Sequence, residues 1–190
     1  MIIIAGKDKP LGVWQSGYAK YQLNDFSSPA SVTWTASGKS VTRTVDVWRV
    51  LGQAIAFIDN KVKRHDPCNA YFRKLRRGKS LREVVESEDV YLHRIEPLAG
   101  FNEDDLPRGI SVGAHVGLPL YVLADANLGV VTASLIHELA HVAGAPRYKE
   151  DPTSHLAEEA LKYCLFPSQY DPSAVGALER FKQLADKRPA

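Results

Sequence analysis

The chain lacks the features that would place it in a specialised class of protein. No apolar stretch approaches the roughly 18 residues of a membrane-spanning helix. The opening "MIIIAG" is too short an apolar run for a secretory signal peptide, and its lysines follow the run instead of preceding it. We therefore expect no transmembrane segment and no signal peptide. With 190 residues, 45% hydrophobic and a net charge of +2, the composition predicts one ordinary globular domain.

Cysteine is scarce, and its spacing excludes the common cysteine-based metal and redox motifs. Cys68 and Cys164 are the only two, and neither lies in a Cys-x-x-Cys pattern. Two alternatives stay open, two free thiols or one disulfide. In a protein that acts outside the cytoplasm, a bridge would close a loop of about 100 residues and stabilise the fold by on the order of 4 kcal/mol.

Motifs for nucleotides and nucleic acids are also absent. "SGKS" and "RGKS" resemble the end of a phosphate-binding loop, but Thr33 and Arg73 stand where that motif requires its first glycine. The basic runs at 61–65 and 73–79 contain no aromatic residues that could stack on bases. These runs predict solvated helix faces, and we expect no nucleic-acid partner.

Hydrophobic periodicity predicts an α+β fold in one domain spanning residues 1–190, with 1–44 contributing a β-hairpin extension. Alternation at 31–45 predicts the hairpin, and "DVYLHRIEP" and residues 110–125 predict further strands. A long amphipathic helix should begin after Asp46 and end before Pro67. Ser80 and Glu83 form the pattern of a helix-capping box. Further helices are expected in "CNAYFRKLRR", "SLREVVES", 128–143, 153–166 and "PSAVGALERFKQLADK".

The feature that indicates chemistry is "LIHELAHVAGAP". On a helix, His137 and His141 project from one face because they are four residues apart. Glu138 is close enough to reach a water held by a metal on that face without binding the metal itself. Two imidazoles and a carboxylate in this spacing suit a zinc site in which the carboxylate takes a proton from the water.

The surroundings of the motif favour a functional site over an ordinary buried helix. Glu138 is the only charged residue between 132 and 143 other than the two histidines, and Gly144 and Pro146 provide a helix stop. By chance, His-Glu-x-x-His arises in roughly 1% of chains of this length. Four apolar side chains should anchor the helix in the core: Val131, Leu135, Leu139 and Val142.

"HELAH" within this apolar helix resembles the zincin metallopeptidases. The resemblance implies that His137 and His141 bind zinc and that Glu138 is the general base. It also implies a zincin-like domain, in which a small mixed or antiparallel sheet packs on the motif helix with several further helices around it.

The upstream "CNAYFRKL" and "GKSL" are similar to small bacterial zincin domains of secreted and toxin-type proteins. That likeness implies a metallopeptidase effector with a protein or peptide substrate and an immunity or inhibitor protein as partner. It further implies export by a dedicated secretion system and action outside the producing cytoplasm.

The third zinc ligand distinguishes the zincin clans, and this chain matches none of them fully. The metzincin pattern places a histidine where Arg147 stands, and no Asn-Glu segment of the thermolysin type follows. "PTSH" is partly aspzincin-like but has His155 where that clan has aspartate. We expect His155 to be the third ligand. Glu158, as a ligand or as the carboxylate that orients a ligand histidine, and Glu159 are the alternatives.

Other residues allow weaker expectations. "GAHVGLPLYV" is either an edge strand that binds substrate backbone or a paired core strand. Donors for a tetrahedral intermediate could come from Arg147, Tyr148 or Tyr163. His65, His93 and His115 lack ligand spacing and are expected to be surface or hydrogen-bonded histidines. The main rival function is a zinc-stabilised, non-catalytic protein-binding module.

Overall fold

A computed structural model describes residues 1–4, 21–24, 30–36, 39–87, 89–97, 109–119, 122–123, 128–146 and 155–164. Within this part of the chain, five α-helices and a mixed, open sheet give the predicted α+β class. The last predicted helix and most of the acidic loop at 100–109 lie outside the described residues.

The helices follow local sequence signals closely. Their bounds are α1 Val47–Asn60, α2 Asp66–Arg73, α3 Leu81–Ser87, α4 Leu128–Val142 and α5 His155–Cys164, with a 3-10 turn at Val62–Arg64. The predicted capping box of α3 is confirmed, since the Glu83 N–H donates to Ser80 Oγ at 3.1 Å and the Ser80 N–H to Glu83 Oε2 at 2.7 Å. Helix α2 begins at Asp66 instead of the expected Cys68, because Pro67 fits the first turn of a helix.

In the part of the chain that the structure describes, seven strands form two sheets. Their bounds are β1 Ile2–Ile4, β2 Tyr21–Asn24, β3 Ala30–Ala36, β4 Lys39–Val45, β5 Val90–Pro97, β6 Ile110–Val112 and β7 His115–Pro119. The main sheet runs β1-β5-β7-β6, parallel except for the antiparallel β6–β7 pair, and β2 pairs antiparallel with the far half of β5. The predicted hairpin is confirmed as β3–β4, with Trp34 opposite Val41.

Strand β7, which the sequence left as either an edge or a paired strand, is paired on both sides. It lies between β5 and β6. Among the described residues the edge position next to it belongs to β6, a strand of only three residues. An added peptide strand would therefore meet β6 and not β7.

The core joins all five helices to one face of the main sheet. Leu92 and Val116 are neighbours in register on this face, and both are fully buried. Helix α4 packs against β6 and β7 from this side and contacts α1, α3 and α5. A disulfide joins Cys68 in α2 to Cys164 at the end of α5. No helix in the described ranges is long and apolar enough to cross a membrane.

The opposite face of the sheet holds two hydrogen-bonded histidines, the arrangement expected for histidines without ligand spacing. Nε2 of His93 lies 2.8 Å from Nδ1 of His115, whose ring stacks with Tyr91. His93 is only 1% exposed. Its burial, together with the nearby His115, lowers the pKa of His93 to about 4.

The buried His93 should make the protein less stable in acid. The unfolded chain binds a proton at this position below about pH 6.5, whereas the folded protein does so only near its lowered pKa of about 4. The free energy of unfolding should therefore fall between these pH values, by up to about 1.4 kcal/mol per pH unit from this residue. In His93→Gln, the free energy of unfolding, measured by urea unfolding at several pH values from 4 to 7.5, should change less steeply with pH than in wild type. The same pH dependence as wild type would contradict this origin.

Candidate metal centre

Helix α4 buries three groups that are costly to bury. Every residue from 131 to 142 is buried, because the helix packs against helices and sheet strands. His137 is 8% exposed, Glu138 4% and His141 9%. Removing a carboxylate from water costs several kcal/mol unless charge or hydrogen bonds compensate. Core packing alone would be served better by apolar side chains at these positions.

The two histidines turn the same ring nitrogen toward each other. Nε2 of His137 and Nε2 of His141 are 3.2 Å apart, and the rings are nearly perpendicular at 74°. Two nitrogens that each lie about 2.0–2.1 Å from one tetrahedral zinc ion are about 3.3–3.4 Å apart. The separation observed therefore fits two ligands of a single zinc ion.

The other nitrogen of His137 faces a carboxylate. Nδ1 of His137 lies 3.3 Å from Oε1 of Glu158, one turn into α5. The pair lies at ion-pair distance without hydrogen-bond geometry, and a carboxylate beside Nδ1 favours a proton on that nitrogen, which leaves the lone pair on Nε2. Of the two roles expected for Glu158, this placement favours orienting the histidine, since Glu158 lies on the side of the ring away from His141.

The other nitrogen of His141 faces a carbonyl that the end of the helix supplies. Gly144 has φ +100°, and the bonds Gly144 N–H to His141 O and Ala145 N–H to Ala140 O close a Schellman turn. The turn brings the Ala145 carbonyl oxygen to 3.2 Å from Nδ1 of His141. A carbonyl only accepts, so Nδ1 of His141 is also the protonated nitrogen.

The tautomers of the two rings decide what can lie between them. If one ring is protonated at Nε2, that N–H donates to the Nε2 of the other ring and forms a neutral hydrogen bond of 3.2 Å. If both rings are protonated at Nδ1, two lone pairs face each other and the arrangement requires a cation between them. Either a shared proton or a metal ion meets this requirement, and neutral imidazole nitrogens are common ligands for zinc.

Glu138 lies against the backbone that leads into β6. A Cβ atom added to Gly109 would lie 2.6 Å from Oε1 of Glu138 and 2.9 Å from its Cγ. The carboxylate therefore occupies space that any residue other than glycine would fill. This contact places Glu138 beside the residue that precedes the edge strand β6.

The structure does not bring the expected third ligand, His155, together with His137 and His141. His155 is exposed at the first residue of α5, and within the described ranges no three His, Cys, Asp or Glu side chains form a group that could hold a metal. His155 therefore stays a prediction. Arg147 and Tyr148 lie outside the described residues, and Tyr163 stacks on Tyr71 of α2 at 4.7 Å. Glu159 faces the same tyrosine, with Oε2 3.1 Å from the Tyr71 hydroxyl.

Three contributors to the site were not recognised in the sequence. The Ala145 carbonyl is a backbone group, although Gly144 after the motif was a local signal for the turn that presents it. Gly109 gave no signal beyond its position before a strand. The Tyr71 contact with α5 joins residues far apart in the chain, which local patterns do not reveal.

Comparisons with known proteins found no relative of this chain. No family model, curated protein or solved structure matches the chain.

Replacing Gly109 with alanine should be destabilising specifically because of Glu138. The added methyl group must displace a buried side chain, which we expect to cost about 1–2 kcal/mol. In the Glu138→Ala background the same change should cost little, since the contact is gone.

Urea unfolding of the two single variants and the double variant measures this coupling. Gly52→Ala is the matched control, because nothing lies within 4 Å of its added Cβ in α1. That variant should be neutral or stabilised by roughly 0.5–1 kcal/mol. Equal costs of Gly109→Ala in both backgrounds would argue against the contact.

Proposed function

We propose that this protein is a zinc-dependent metallopeptidase with a zincin-like site on α4. The observation that carries the proposal is the pair of Nε2 atoms 3.2 Å apart, with Nδ1 of His141 on a carbonyl oxygen, Nδ1 of His137 beside a carboxylate, and a buried carboxylate next in sequence to the first histidine. A hydrogen bond or a shared proton between the two imidazoles is the alternative without metal, and metal analysis distinguishes it from a zinc site.

His137 and His141 would hold the zinc, and His155 remains the candidate for the third protein ligand. When bound, zinc supplies a Lewis acid that lowers the pKa of a coordinated water to about 7. Glu158 and the Ala145 carbonyl keep each imidazole in the tautomer that can bind metal. The apolar surroundings of α4 limit access of bulk water to these groups.

Glu138 serves as the general base in this proposal. It accepts a proton from the attacking water and then gives that proton to the amine nitrogen that leaves the peptide carbonyl. The contact with Gly109 limits where the carboxylate can lie, so the acceptor oxygen is held in place before substrate binds.

The substrate in this proposal is an extended peptide. Strand β6 is the last strand of the main sheet in the described residues, so its outer edge would offer backbone donors and acceptors, and Gly109 just before it lies against Glu138. A peptide that adds a strand to β6 would pass close to the base with little dependence on its own side chains. The disulfide between Cys68 and Cys164 supports action in an oxidising compartment, as expected for an exported effector.

Elemental analysis of purified protein tests the metal. Wild type should carry one zinc ion per chain, and His137→Ala and His141→Ala should carry none. Glu158→Ala should still bind zinc, but roughly 10- to 100-fold more weakly, because Glu158 acts through His137. Loss of zinc in His155→Ala would identify His155 as the third ligand. A folded wild type that takes up no zinc would contradict the proposal.

Replacing Glu138 with glutamine tests the chemistry. The amide keeps the shape of the side chain but cannot accept the proton, so peptide cleavage should fall roughly 100-fold or more while the zinc content stays at one per chain. Cleavage is measured by mass spectrometry on a synthetic peptide library. If wild type holds zinc, cleaves none of the peptides and is matched by Glu138→Gln, a zinc-stabilised binding module is the better description.

A further inference from the structure

Helix α5, which places Glu158 beside His137, is attached to α2 at two separate points. Near its start, the Tyr71 hydroxyl lies 2.8 Å from the Leu156 carbonyl oxygen and 3.1 Å from Oε2 of Glu159. At its end, Cys164 is bonded to Cys68. The two attachments come from one short helix, α2, and lie on either side of Glu158 along α5.

The Tyr71 hydroxyl acts only as a hydrogen-bond donor in this contact. Both partners of its hydroxyl are acceptors, so Tyr71 must donate the proton. Burial, and after it the charge of Glu159, raises the pKa of Tyr71, which keeps the hydroxyl protonated in any ordinary buffer. The donor therefore stays available at neutral pH.

The residues that Tyr71 contacts lie directly beside the residue that orients the metal ligand. Leu156 precedes Glu158 by two positions, and Glu159 follows it. Glu158 Oε1 lies 3.3 Å from His137 Nδ1, at ion-pair distance. A displacement of this turn of α5 would move the carboxylate away from the ring, and the interaction between the two weakens with distance.

We propose that Tyr71 is a positioning residue of the metal centre, acting through α5 and Glu158 on His137. This inference rests on the proposed zinc function and extends it to α2, which carries none of the three residues of the motif. The disulfide is the second fixed point, so that Tyr71 determines where the first half of α5 lies relative to α4.

Zinc affinity, measured by competition with a chromophoric chelator, tests this role. Tyr71→Phe removes the donor and keeps the ring that stacks on Tyr163, and it should weaken zinc binding on the order of 3- to 10-fold. Tyr163→Phe is the matched control. It removes a hydroxyl from the partner ring, which forms no hydrogen bond within the described residues, and should bind zinc as wild type does.

A double variant shows whether Tyr71 acts through Glu158. If it does, Tyr71→Phe should weaken zinc binding no further once Glu158 is alanine. If the double variant loses zinc affinity by the product of the factors lost in the two single variants, Tyr71 acts independently of Glu158, and this result would overturn the proposal. So would a Tyr71→Phe affinity equal to that of Tyr163→Phe.

The tautomer of His137 provides a readout that needs no metal. In zinc-free protein near neutral pH, long-range proton–nitrogen NMR correlations should show His137 protonated at Nδ1 in wild type and Tyr163→Phe. In Tyr71→Phe, and in the Cys68→Ser/Cys164→Ser double variant, the share protonated at Nε2 should rise. If wild type fails to bind zinc, the proposed function fails, and an unchanged tautomer in Tyr71→Phe separately overturns the positioning role.

Discussion

The candidate site depends on one constraint, that two imidazoles on adjacent turns of α4 each have Nδ1 beside an acceptor. The two Nε2 atoms then lie 3.2 Å from each other. Two other parts of the chain supply the acceptors, and a third bounds the neighbouring carboxylate. A glycine turn presents the Ala145 carbonyl, α5 presents Glu158, and the segment before β6 limits the position of Glu138. The helix itself contributes only the spacing.

That division explains how much of the site could be read from the sequence. The spacing of His137, Glu138 and His141, the helix that carries them and its glycine stop are local patterns, and the sequence shows them directly. The capping box of α3 and the hairpin β3–β4 are local in the same sense, and both predictions are confirmed. Each depends only on residues close to one another in the chain.

The remaining features could not be predicted because they depend on contacts between distant residues. Strand β1 has three residues and forms because it pairs in parallel with β5. No local sequence pattern predicts this contact. Strand β6 is equally short, which is why β7 could not be distinguished as a central strand from the sequence alone. The placement of Glu158 beside His137 depends on the packing of α5 on α4, and spacing alone left Glu158 open as a ligand.

The covalent link between Cys68 and Cys164 also divides the chain topologically. The two are separated by 96 residues, and the ring that they close contains α3, β5, β6, β7 and α4. In an oxidised unfolded chain, α2 and the end of α5 are already joined, so their docking requires no further loop closure. Strand β1 lies outside the ring and must reach β5 over a long separation, which is slow. The ring therefore holds the helix that carries the two imidazoles together with β5, β6 and β7, whereas β1 and α1 pack on these elements from outside it.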